Sequence, residues 1–191
     1  CPHSVSTKIP EGSRAHAGTG CHLMAAFMDR GTTGFLQMGG DGINWTGQAP
    51  FTKTKHVFQN IGDGTYFHSG SLAIRQAVAA NVNMTFKILN NDAVAMTGGQ
   101  PFESPISPAD ISQQVYSEGV RRIAVVYDRA ENLPESSNFA AGTTFHPRRE
   151  LDDLQRELRE VPGVSVIIYV QPCAAELRRK RRRGEARKIE R

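Results

Sequence analysis

The sequence has no apolar stretch long enough to cross a bilayer. Its longest such run, near Val164 to Val170, falls far short of the roughly 20 residues that a spanning helix needs. No secretory leader is visible. Cysteine is scarce: three in 191 residues, few and odd, make no disulfide framework. A reducing cytoplasm is the expected compartment. There is no convincing Ser-His-Asp or HExxH pattern and no internal repeat. Initiating Met is absent as well. The chain opens on Cys1 and reads as a piece of a longer polypeptide.

What is present fits one soluble globule. A chain of 191 residues buries roughly 70% of its unfolded surface and needs no staples. Hydrophobic residues make up 39% and charged residues 22%, both ordinary values. The net charge of +4 is unevenly placed. Residues 174–191 hold nine Lys or Arg against three Glu, so the remainder of the chain is slightly acidic. The expected division is a globular domain over 1–173 and a basic helix or linker over 174–191.

Apolar runs at Val57–Ile61, Met84–Leu89, Arg122–Tyr127 and Val164–Val170 read as buried parallel strands. A short fifth strand is expected at Gly34–Met38. Helical spacing marks 18–30, 71–80 and 148–161. Ser69 is a plausible N-cap for the second of these. Ser107 followed by Pro108 starts a further helix running to about Glu118. Residues 1–17 and 128–146 read as loop. Strands alternating with helices predict an α/β three-layer sandwich with a mainly parallel sheet.

The stretch from Val57 to Pro101 carries the chemistry. A strand ends in Gly62-Asp63-Gly64, a helix follows, and a second strand ends in Asn90-Asn91-Asp92. If the two strands are parallel neighbours, carboxylate and carboxamide stand on one sheet edge, where ligands of such sheets bind. Oxygen donors from Asp63, Asn91 and the Ala93 carbonyl suit Mg²⁺, which takes few protein ligands and completes its shell with water or phosphate. Gly62 and Gly64 let backbone N–H groups approach a phosphate. Thr65 either bonds that phosphate or caps the turn. A second Gly-Asp-Gly, at 40–42, lacks a carboxamide pair at the right distance, and Asp41 reads as a turn former. Of the six histidines, His68 lies nearest the motif and is the candidate for proton transfer.

The order GDG, NN, then Thr97-Gly98-Gly99-Gln100 resembles the diphosphate-binding motif of thiamine-diphosphate enzymes. The continuation NNDAVAMTGGQP, with CPHSVSTKIPEGSRAHAGTGCH, QMGGDG, WTGQAPFTKTKHVFQN and QPCAAELRRKRRRG, is similar to the indolepyruvate ferredoxin oxidoreductase family. The similarity runs over 1–129 and 145–184. It implies that Gly39, Gly40, Thr97 and Gly98 line the cofactor site. It implies oxidative decarboxylation of a 2-oxo acid with coenzyme A as acyl acceptor and ferredoxin as electron acceptor. Another module, in an oligomeric enzyme, would supply the Glu that activates the cofactor's aminopyrimidine ring. It also implies that Cys1, Cys21 and Cys173 are three of four ligands of a 4Fe–4S cluster, the fourth lying before residue 1. No membrane or nucleic-acid partner is expected. The alternative is a non-catalytic fragment that binds nucleic acid or another protein through Arg178 to Arg183.

Overall fold

A computed structural model describes residues 1–91, 93, 96, 106–129 and 138–185. Six strands form one sheet: β1 (Ala15–His16), β2 (Val57–Gly62), β3 (Met84–Asn90), β4 (Arg122–Tyr127), β5 (Thr144–Pro147) and β6 (Val164–Val170). Their order is β1-β2-β3-β6-β4-β5, and every pairing is parallel. The helices are α1 (His3–Ser6), α2 (Ile43–Gln48), α3 (Asp63–Thr65), α4 (Ser71–Ala79), α5 (Pro108–Ser117), α6 (Leu151–Leu158) and α7 (Ala174–Arg183).

The period of two along each strand divides the core. Met84, Phe86 and Ile88 of β3 meet Ile74 and Ala77 of α4 and Ile111 and Val115 of α5 on one face. Leu89 of β3, with Ile167 and Tyr169 of β6, meets Leu151, Leu154 and Leu158 of α6 on the other. Helices thus cover both faces, as an all-parallel sheet requires. The α5 start is a capping box. Ser107 Oγ accepts the Asp110 N–H at 3.1 Å, and Asp110 Oδ2 accepts the Ser107 N–H at 3.1 Å.

Five expectations need correction, and four concern edges or turns. The segment 1–17 is not all loop, since it holds α1 and β1. Gly34–Met38 forms no strand. The edge place goes to β1, and Phe35 is left 57% exposed. The helix expected from Gly18 is a 3₁₀ helix over Cys21–Phe27. Ser69 caps nothing, because the helix already begins at Asp63 and passes through a π turn at Tyr66–Gly70. Residues 128–146 include most of β5, an edge strand whose half-buried residues show no apolar run.

One charge sits inside the sheet. Lys87, in mid-β3, is fully buried. Its Nζ donates to Ser6 O at 2.8 Å, Lys8 O at 3.0 Å and Gln155 Oε1 at 3.0 Å, with the Phe58 ring 5.6 Å away. The ammonium has three protons and all three are placed. This side chain ties α1 and the following loop to α6 through the sheet. Burial pushes its pKa from 10.5 down to about 7. The unfolded chain therefore binds one more proton between those values, and folding stability rises with pH across that window. Lys87→Met strands three acceptors, two of them on buried residues, for an expected loss of about 2 kcal/mol or more in urea unfolding. The rise in stability between pH 7 and 10 should vanish with it.

Candidate functional site

Because all strands run parallel, the C-terminal ends of β1, β2 and β3 share one edge. β2 ends at Gly62, extended at ψ 152°, and Asp63 begins the helix at once. Asp63 is 2% exposed. Its Oδ2 accepts the Asn91 N–H at 2.8 Å and its Oδ1 the Gly64 N–H at 2.9 Å. Asn91 Oδ1 in turn accepts the Ala93 N–H at 3.1 Å. One carboxylate thus fastens the ends of two neighbouring strands. Asp63, Asn91 and Ala93 are thus linked by hydrogen bonds at one sheet edge. The donor set is hard oxygen only, which fits Mg²⁺ and not a soft metal. Thr65 is buried, its hydroxyl 3.5 Å from the Thr19 carbonyl. Thr97 and Gly98 lie outside the described residues.

The first glycine turn stands beside the second. Gly39 has φ 91°, and a Cβ there would run into Ser69 Oγ, so the 39–40 turn presses on the π turn after Asp63. Asp41 does hold this turn, its Oδ2 accepting the Gly39 N–H at 3.1 Å. Yet it is only 1% exposed, and burial pushes its carboxyl up to about 6. Among the described residues, Asp41 Oδ1, His22 Nε2 and Asn60 Oδ1 are buried without hydrogen-bond partners. A Cβ on Gly18 would lie 2.5 Å from Asn60 O, 2.6 Å from Asp41 Oδ1 and 2.8 Å from His22 Nε2. Burial, then the neighbouring His3, lowers the His22 pKa to about 3, so its ring is neutral. The sequence showed Asp41 only as a turn former. Its burial depends on residues 18 and 22, about 20 positions earlier, and no local pattern reveals that.

His68 is exposed on the π turn, with Nδ1 2.8 Å from Ser69 Oγ. His56 is a structural group: it bonds Thr85 Oγ1 at 2.8 Å, and burial lowers its pKa to about 4. Cys1 and Cys21 line one cavity of about 290 Å³ with His3, His22, Met24 and Met28. Burial, then the nearby Cys173, raises the Cys21 pKa. The three thiols therefore belong to one corner of the molecule. Among the described residues, however, no three Cys, His, Asp or Glu side chains are grouped so as to hold a metal.

Comparison with known proteins bears on this edge. Residues 18–169 match the family model described as thiamine pyrophosphate enzyme, C-terminal TPP binding domain. Indolepyruvate oxidoreductase subunit IorA of Archaeoglobus fulgidus is 31% identical over 136 residues, covering 67% of this chain and 20% of that protein. The subunit of the same name from Methanothermobacter thermautotrophicus is 26% identical over 157 residues, covering 81% of this chain and 24% of that protein. The chain thus spans about a quarter or less of the length of these relatives. Among solved structures, a 2-oxoglutarate:ferredoxin oxidoreductase from Magnetococcus marinus superposes with a TM-score of 0.62 at 21% identity. That match covers 87% of this chain and 55% of the other, and shows a common fold.

Gly18→Ala tests the polar knot between the two glycine turns. The added methyl meets a backbone carbonyl, which cannot swing away. An overpacking loss of about 1–3 kcal/mol is expected in thermal or urea unfolding. An unchanged unfolding midpoint would show that the knot yields freely.

Proposed function

The chain belongs to the thiamine pyrophosphate enzymes, as a C-terminal TPP binding domain of the 2-oxoacid:ferredoxin oxidoreductase group, and from that premise we propose that it is the diphosphate- and Mg²⁺-binding module of an enzyme oxidising an arylpyruvate such as indolepyruvate. The observation that carries this reading is the buried Asp63 carboxylate at the β2 edge, bonded to the Asn91 N–H. Asp63, Asn91 and the Ala93 carbonyl hold Mg²⁺. The backbone of Gly62 to Gly64, with Thr65, receives the diphosphate, and Thr97 and Gly98 flank it. Gly39 and Gly40 line the neighbouring wall. Thiamine diphosphate, when bound, supplies the carbon nucleophile and the electron sink for decarboxylation.

The chain's own residues orient and enclose. Asp63 keeps the β2 and β3 ends at fixed spacing, so the oxygen donors are preorganised. His68, exposed on the π turn that follows Asp63, is the proposed proton-transfer group on the substrate side. Its Nδ1 faces Ser69 Oγ, which leaves Nε2 for the substrate. Cys1, Cys21 and Cys173 are proposed ligands of a 4Fe–4S cluster, supported by the shared cavity and by the proximity of Cys173 to Cys21. A cluster accepts electrons singly, as delivery to ferredoxin demands. The overall reaction of the complete enzyme is then a 2-oxo acid, coenzyme A and two oxidised ferredoxins giving acyl-CoA, CO₂, a proton and two reduced ferredoxins. A second module, in an oligomer, provides the Glu on the aminopyrimidine. No described helix is long and apolar enough to cross a membrane, and the cytoplasm is the proposed location. The nucleic-acid alternative rests on the basic run of α7 alone. Two of those charges, Arg179 and Arg183, are paired with Glu176.

Calorimetry with thiamine diphosphate should show weak binding without Mg²⁺ and tighter binding with it. Asp63→Ala should weaken the Mg²⁺-dependent binding about ten- to hundredfold or more. Equal affinity in wild type and variant would remove Asp63 from the metal site. Turnover of indolepyruvate should need the second module. Appreciable turnover by this chain alone would place the activating Glu within it.

A further inference from the structure

A group of four cations lies away from the Asp63 edge. A cleft of about 570 Å³ opens between α1 with the loop that follows it, the Arg30–Gly31 turn, and the start of α6. Lys8, Arg30, Arg148 and Arg149 line it. Among the described residues, no carboxylate pairs with Lys8, Arg30 or Arg148. Arg30 is held instead by neutral acceptors, its Nη1 donating to Ser4 O at 2.9 Å and Thr7 Oγ1 at 3.2 Å, so its charge is positioned but not cancelled. Arg149 meets only its neighbour Glu150, at 3.9 Å. The two acids in the lining do little to offset this. Asp152 is committed to Arg156 at 2.8 Å, and Glu11 is exposed. Ile9, Pro10 and Leu151 supply an apolar wall.

The geometry points to a second ligand site here, for a phosphate monoester carried on a flat apolar body such as a nucleoside. Three cations without a carboxylate partner, and a fourth held only at 3.9 Å by Glu150, exceed what a single carboxylate ligand would need. A phosphate brings close to two charges and three acceptor oxygens, which match two guanidinium forks and an ammonium. The volume falls in the range of small-molecule sites, and the apolar wall accepts a ring. Asp152 and Asp153 occupy the first turn of α6, so recognition rests on the side-chain cations and not on the helix end. The site is independent of the diphosphate reading, since none of its lining residues belongs to the Asp63 edge.

Adenosine 5′-monophosphate, adenosine and inorganic phosphate are the probes, titrated into the full chain by calorimetry at low ionic strength. The monophosphate should saturate one site and weaken steeply with added salt, while adenosine should bind at least about tenfold more weakly. Lys8→Gln with Arg149→Gln, both exposed and the second held only by Glu150 at 3.9 Å, should cut affinity about tenfold or more. Arg30→Met should do the same if it folds. Asp63→Ala should bind the monophosphate as wild type does. Absence of saturable binding, equal binding of adenosine, or no effect of the Lys8 and Arg149 changes would overturn the proposal. Loss of binding in Asp63→Ala would also overturn it, by assigning the ligand to the other edge. Phosphate binding as tightly as the monophosphate would remove the apolar wall from the site and reduce it to an anion patch.

Discussion

A single charge-assisted hydrogen bond, from the Asn91 N–H to Asp63 Oδ2, sets the geometry on which the candidate site depends. It joins two strand ends that sheet pairing alone would leave free, since the β2 ladder stops at Gly62 and the β3 ladder at Asn90. It also orders the start of a helix, because the same carboxylate takes the Gly64 N–H. Such bonds are roughly twice as strong as neutral ones, and stronger still in a buried setting. The proposed metal ligands are therefore fixed by the same contact that closes the sheet edge.

The same tripeptide occurs twice in the chain and meets two different environments. Around Asp63, both oxygens have backbone donors. Around Asp41, one oxygen has the Gly39 N–H and the other has no partner among the described residues. The carboxyl pKa rises accordingly at Asp41, where burial is the dominant influence. Identical local sequence thus gives an anchor bonded through both oxygens in one place and a group with one unpartnered oxygen in the other. The difference comes from what packs on each motif: Asn91 at the next strand end for Asp63, and the earlier Gly18 and His22 for Asp41.

Four of the six strands were legible because buried parallel strands are written as unbroken apolar runs. β2, β3, β4 and β6 fall within a residue or two of those runs. The start of α5 was legible because Ser107 and Pro108 are a local code. β1 and β5 were not, since edge strands are short and half-polar, and their partners lie far along the chain. The place of Asp63 and Asn91 at the ends of adjacent strands could be read from spacing. The contacts of Gly18 and Gly39, the burial of Asp41 and the cleft near Lys8 could not. Each arises where segments remote in sequence are pressed together, and glycine or lysine alone carries no sign of it.

The Lys87 ammonium has a consequence for the order in which the molecule takes shape. Its three acceptors come from residues 6, 8 and 155, separated from it by 81, 79 and 68 positions. On a ribosome the first residues emerge long before Gln155 exists, and domains assemble as synthesis proceeds. Arg30 can hold Ser4 and Thr7 early, but the bond that ties α1 through Lys87 to α6 must wait until α6 has been made. Cys173 follows α6 in the sequence, so the corner that it shares with Cys21 is completed later still.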